Sequence, residues 1–197
     1  MYILGITGSI GSGKTTVSNI LRNLGAQVSH SDDLAKELIG SDPELKQLIS
    51  NQFGPEVYSA QGELIPSELA QRAFGSPETQ SKLNAIVHPA VRQATRSRIE
   101  QARDQGVPLF IIDAPLLFEA GADQLADSVL VVASQQSTRQ LRVNARSGID
   151  EDEFFRRDRL QLPIEEKIKR SQHVIWNDGD LLALTNAATE FYKSLRL

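Results

Sequence analysis

The 197-residue chain has no cysteine, one tryptophan and one methionine. Without thiols there are no disulfides, no thiolate metal sites and no redox dithiol, which is compatible with a reducing compartment. The three histidines, His30, His88 and His173, have no spacing that would bring two of them to one metal. An excess of positive charge is also missing. Lysine and arginine number 21 against 25 acids, a net charge of −4, whereas a duplex nucleic-acid binder carries a strong basic bias. No apolar run approaches the ~18 residues that a membrane span needs. Lys14 is the first cation, so no basic leader is read at the start. The expectation is a cytoplasmic protein acting on small molecules, with no nucleic-acid or membrane partner, monomeric by default. There is no repeat of fixed period and no low-complexity tract.

What is present is ordinary in bulk and specific in one place. A hydrophobic content of 40% and a charged content of 23% are those of a soluble globule. The length suits one α/β core with small appended subdomains. The specific stretch is Gly8-Ser-Ile-Gly-Ser-Gly-Lys14-Thr15, which fits G-x-x-x-x-G-K-[ST] at every fixed position. Tyr2 to Thr7 reads as a buried strand. Thr15 to Leu24 places Val17, Ile20, Leu21 and Leu24 at helical spacing. A glycine-rich loop between a strand and a helix is the context that makes this pattern a phosphate-binding loop. Gly8, Gly11 and Gly13 let successive N–H groups turn toward phosphate oxygens, and the helix N-terminus adds partial positive charge. Lys14 is expected on the β- and γ-phosphates and the Thr15 hydroxyl on Mg²⁺.

Gln27 to Ser31 reads as a second strand, followed by a helix that Gly40 to Pro43 breaks. From Glu44 to about Gly106 the pattern is helical throughout apart from a turn at Ala60-Gln61-Gly62, with Pro89 expected to kink or restart the chain. Val107 to Ile112, Ser128 to Ala133 and His173 to Trp176 are apolar strands, and Leu181 to Leu195 a closing helix. Strands and helices alternate, and the strands are apolar on both sides. The pattern therefore predicts a five-stranded parallel sheet covered on both faces.

Several residues could carry chemistry. Asp32 follows the second strand, on the carboxyl edge where ligands of open α/β sheets bind. It could accept a proton, hold Mg²⁺ through water, or simply cap a helix. Asp113 ends the third strand, where a Mg²⁺ carboxylate would stand, or is a polar strand end before Pro115. Arg139, Arg142 and Arg146 fall at i, i+3 and i+7. Half of the chain's 14 arginines lie between 139 and 170. Such a cluster is either a solvated, salt-bridged face or a lid that closes on phosphate.

Taken together, the chain resembles the dephospho-coenzyme A kinase family over nearly its whole length. The opening I-T-G-S-I-G-S-G-K-T-T is similar to the family's P-loop. Leu83-Asn-Ala-Ile-Val-His88-Pro89 is similar to its L-x-x-I-x-H-P helix, and Asp113-Ala-Pro115-Leu116-Leu117-Phe118-Glu119 to its D-x-P-L-L-F-E segment. Arg142 and Arg146 match its lid arginines. Gln161 and Lys167 match Q-x(5)-K, and Val174 to Asn177 matches V-I-x-N. Three positions depart from the pattern. His30 replaces the first aspartate of D-A-D, whose second is Asp32. Pro66 stands where an arginine is usual, and Arg139 where a glutamine is usual.

The resemblance implies a P-loop NTPase three-layer sandwich. It has a core of about 1–40, 107–138 and 171–197, a helical CoA-binding insertion of about 41–106 and a lid region of about 139–170. The implied reaction is ATP-dependent phosphorylation of the ribose 3′-hydroxyl of dephospho-CoA. In it Asp32, Lys14 and Arg142 are catalytic. Gly8, Gly11, Ser12, Gly13, Lys14, Thr15, Thr16, Arg146 and Asn177 bind ATP. Thr15 and Asp113 hold Mg²⁺, and His88, Leu116, Leu117 and Phe118 contact the acceptor. The neighbouring alternative is another small-metabolite kinase, of the nucleoside monophosphate or shikimate type. The GTPase strings N-K-x-D and D-x-x-G do not occur.

Overall fold

The structure, a computed structural model, describes residues 1–197. In chain order it begins with β1 (Tyr2–Thr7), α1 (Lys14–Asn23) and β2 (Gln27–His30). Four helices follow: α2 (Ser31–Ser41), α3 (Pro43–Phe53), α4 (Pro66–Ala73) and α5 (Pro77–Asp104). The chain then forms β3 (Leu109–Asp113), β4 (Ser128–Ala133), α6 (Gln136–Ser147), α7 (Glu151–Asp158), α8 (Ile164–Arg170), β5 (His173–Trp176) and α9 (Leu181–Ser194). It divides into two compact units. One is Met1–His30 with Arg98–Leu197, and the other is Ser31–Ser97.

The first unit is built on a parallel five-stranded sheet of order β2-β3-β1-β4-β5. The continuous apolar runs of its strands have a simple cause, because alternate side chains enter two different cores. Leu4, Ile6, Leu109, Ile111, Leu130 and Val132 pack with Val17, Leu21, Leu184 and Ala188 of α1 and α9. Ile3, Phe110, Ile112 and Val129 pack on the opposite side with Ile99, Ala102, Leu117 and Phe118. β1 is the central strand, and the strand order reverses around it, so its carboxyl end opens at the crevice where such sheets bind ligands. β3 starts two residues later than the apolar run suggests, since Pro108 has no N–H to give the ladder. It extends to Asp113, which pairs in register with Ile6 on one side and His30 on the other.

The second unit is helical around Leu45, Ile49, Phe53, Val57, Leu69, Ala73, Leu83 and Val87. It departs from the sequence expectation in two places. Gly54 to Ile65 has the expected turn at Ala60-Gln61-Gly62 but no α-helix on either side of it. It holds a 3-10 turn (Pro55–Val57) and a single antiparallel bridge, Tyr58 to Leu64, around Gly62 at φ +78°. α5 does not restart at Pro89 but runs on for 28 residues, the proline giving up one ladder bond within a long helix. The break expected between Gly40 and Pro43 comes at Asp42, whose carboxylate caps α3 by accepting from Leu45 N at 2.9 Å, and Gly40 itself lies inside α2. Pro66 occupies the first position of α4, where a missing N–H has no consequence. No helix is long and apolar enough to cross a membrane.

Candidate active site

The loop between β1 and α1 has the conformation its glycines predict. A turn closes it, Ser12 N donating to Ser9 O at 3.1 Å. Gly13 precedes α1 at φ +99°, a backbone open to glycine and strained for other residues. The loop is held by close approach. A Cβ on Gly13 would collide with Asn177 Nδ2, one on Gly8 with the Val132 carbonyl, and one on Gly11 with Arg139 O at 2.7 Å. The first turn of α1 contains no acidic side chain to neutralise its positive end. The Ser12 hydroxyl is buried with no partner. Lys14 and Thr16 are half-buried and Thr15 is exposed. A cradle of backbone donors at a helix N-terminus, with a lysine and an accessible hydroxyl beside it, suits an anion rich in oxygen.

Asn177 lies at the end of β5, and its side chain braces the cradle. Its Nδ2 donates to Ser12 O at 2.8 Å and its own N–H to Ala133 O at 2.7 Å. Arg142 extends the brace, donating to Asn177 O at 2.8 Å and to Gly179 O at 3.3 Å. Asp178 fastens the far side by accepting from Ser134 Oγ and Gln135 N, both at 2.8 Å.

Asp113 is only 5% exposed. Its Oδ2 accepts from Ser18 Oγ at 2.9 Å and meets His30 Nδ1 at 3.1 Å. The other nitrogen of His30 lies 2.7 Å from Arg22 Nη2. A guanidinium only donates, so Nε2 accepts and Nδ1 carries the proton given to Asp113. His30 therefore orients the strand-end carboxylate from the adjacent strand, and Oδ1 is left for other partners. Ser18 and Arg22 carry no signal in the sequence, since each is a polar residue on a helix until the register of β2 and β3 is known.

Arg139, Arg142 and Arg146 share one face of α6, as their spacing suggested, but differ in burial and partners. Arg139 is 4% exposed and paired with Asp158, Arg142 is half-buried on the loop after β5, and Arg146 is exposed. Beyond them, Glu153 accepts from Arg156 and Arg157, each at 2.6 Å, and those hydrogen bonds hold its carboxyl down to about 2. Those two arginines thus belong to a salt-bridged exposed helix.

The acceptor-contact group also separates. Leu117 is 0% exposed, and its Cδ2 stands 2.7 Å from where a Cβ of Gly5 would be. It is a core side chain, made possible by the glycine in β1. Phe118 is nearly buried in the same core with the Arg170 guanidinium 5.2 Å over its ring, and Leu116 is half-buried. Lys167 is buried and donates to Pro115 O at 2.6 Å, with Glu119 Oε1 at 3.2 Å. Burial pushes its amine below the usual lysine range, and Glu119 opposes that shift. It anchors the segment after Asp113 to α8.

In the second unit, α2 begins at Ser31, so Asp32 lies exposed in the first helical turn rather than at the cap, two residues beyond β2. His88 is half-buried on α5.

Fold and loop together define a P-loop nucleotide-binding protein of the small-kinase type. Residues 2–183 match the family model of dephospho-CoA kinase. A dephospho-CoA kinase of Syntrophotalea carbinolica is 39% identical over 181 residues, covering 92% of this chain and 86% of its own. One of Chlorobaculum tepidum is 39% identical over 197 residues, covering 98% and 94%. The crystal structure of a Thermus thermophilus protein is 36% identical, with a TM-score of 0.81 over 98% of this chain and 97% of that one. The chain belongs to the dephospho-CoA kinase family, whose members phosphorylate an alcohol of dephospho-CoA with ATP in the final step of CoA biosynthesis. The family match decides against the nucleoside monophosphate and shikimate alternatives.

Proposed function

We propose the following division of labour for the transfer of the ATP γ-phosphoryl to the ribose 3′-hydroxyl. The cradle of Gly8, Gly11, Ser12 and Gly13 binds the triphosphate, with Lys14 on the β- and γ-phosphates and Thr16 beside them. Asn177 and Arg142 hold the cradle from behind, and Arg142 and Arg146 answer the charge that develops on the moving phosphoryl. Asp32 orients the acceptor hydroxyl and takes its proton. The helical unit, through His88, and Leu116 of the segment after β3 hold the acceptor. The observation that carries this reading is the braced cradle at an acid-free helix end. Positioning and charge stabilisation supply most of the acceleration, because the reacting groups need little covalent help.

Mg²⁺ fits the donors present. The Thr15 hydroxyl and the open Asp113 oxygen are both hard oxygen ligands, and no cluster of three or more His, Cys, Asp or Glu competes for a softer metal. When bound, the ion neutralises phosphate charge. His30, through Asp113, would keep that carboxylate turned to its task. We read the protein as cytoplasmic, with a monomer as the default state.

Asp32→Asn tests the base. A roughly 10²- to 10⁴-fold fall in kcat is expected, with ATP affinity by calorimetry unchanged. Turnover within a few-fold of wild type would reduce Asp32 to a charge at a helix end.

A further inference from the structure

Arg139 stands where the family pattern has glutamine, and its surroundings are unusual for an arginine near a phosphate site. Its side chain is 5% exposed and the Phe154 ring lies 5.5 Å from its guanidinium. All of its hydrogen bonds go to the protein. Nε donates to Ser134 O at 3.3 Å. Nη1 donates to Asp158 Oδ1 at 2.7 Å and to the carbonyl of Ile10 at 3.2 Å. Nη2 donates to Asp158 Oδ2 at 3.2 Å. One guanidinium thus joins three segments: the end of β4, the end of α7 and the crest of the phosphate loop. Its charge is balanced by Asp158 at close range, so it offers little field to a phosphate.

It does offer direction. A trans peptide is planar, and its C=O and N–H point opposite ways. Fixing the Ile10 carbonyl toward Arg139 therefore fixes the Gly11 N–H away from it. Asn177 does the same two peptides later, since its bond to Ser12 O sets the direction of the Gly13 N–H. The Arg139 backbone carbonyl and Val143 close the remaining space over Gly11, at 2.7 Å and 2.8 Å from where a Cβ would stand.

We infer that Arg139 is a positioning residue that aims the Gly11 amide of the phosphate loop, and that Asp158 serves by neutralising it. The two act on ATP affinity rather than on the transfer step. The inference rests on the loop as the nucleotide site and is independent of Asp32.

The test replaces the pair rather than breaking it, because a lone buried charge would unfold the region for unrelated reasons. R139M/D158L keeps bulk and removes both charges. The melting temperature is expected near that of wild type. The Kd of a non-hydrolysable ATP analogue is expected to rise about tenfold, the loss of one charge-assisted hydrogen bond. At saturating ATP, kcat should stay within about threefold. R139Q/D158N is the second variant. Its amide can still donate to Ile10 O, so affinity should return to within about threefold of wild type. A folded R139M/D158L that binds the analogue as tightly as wild type would overturn the assignment. So would equal weakening in both variants, which would make the pair a brace for α6 and α7 alone.

Discussion

At Gly13 the backbone sits at φ +99° and the Asn177 amide nitrogen occupies the space a methyl would need. Gly13→Ala therefore meets two penalties at once, a strained backbone of order 1–3 kcal/mol and displacement of the residue that braces Ser12. A lower melting temperature and loss of ATP binding are expected together, by thermal melt and calorimetry. An alanine variant with both intact would show that the loop's shape is not what selects the ligand. The glycines and Lys14 were legible in the sequence because the pattern is local: eight consecutive residues between a strand and a helix. Arg139 was not. Its spacing to Arg142 and Arg146 suggested a shared face, and its partner Asp158 lies 19 residues away on another helix. The packing of Leu117 was equally hidden, since only the sheet shows that it fills the space over Gly5.

At the scale of elements, the apolar runs located β1, β3 and β4 because the middle of a sheet covered on both faces leaves little room for polar side chains, whereas the edge strand β2 is polar at Gln27, Ser29 and His30. The sequence pattern did less well with Pro89, which read as a restart and lies inside a helix whose packing outweighs local propensity. The break between Gly40 and Pro43 and the turn at Ala60-Gln61-Gly62 were both legible, although Gly40 itself remains helical. Gly40 carries a prediction. It is exposed, its φ is not positive, and a Cβ there would meet nothing within 4 Å. Gly40→Ala should stabilise the protein by about 0.4–1 kcal/mol, read from the denaturation midpoint at unchanged slope. A destabilised variant would mean that α2 does not run through residue 40. The departures from the family pattern also resolve here. Pro66 starts a helix, and His30 uses its two nitrogens to connect Arg22 to Asp113.

For the whole molecule, a net charge of −4 looks unsuited to a polyanionic substrate. The structure answers by placement. The helix end at Gly13, Lys14 and the Arg142 guanidinium around Asn177 bring positive charge to one place, while cations elsewhere sit in pairs such as Arg72 with Glu56 and Arg156 with Glu153. Composition could not show this. The division into a sheet unit and a helical unit is likewise beyond composition, since it depends on which apolar residues share a core. The central claim is that this loop delivers a phosphoryl group to the sugar alcohol of dephospho-CoA. The direct measurement is to incubate the purified chain with MgATP and dephospho-CoA and follow both products by mass. CoA and ADP should appear one for one, and Lys14→Ala should make neither. ADP without CoA, or CoA formed by the Lys14→Ala variant at the wild-type rate, would contradict the account.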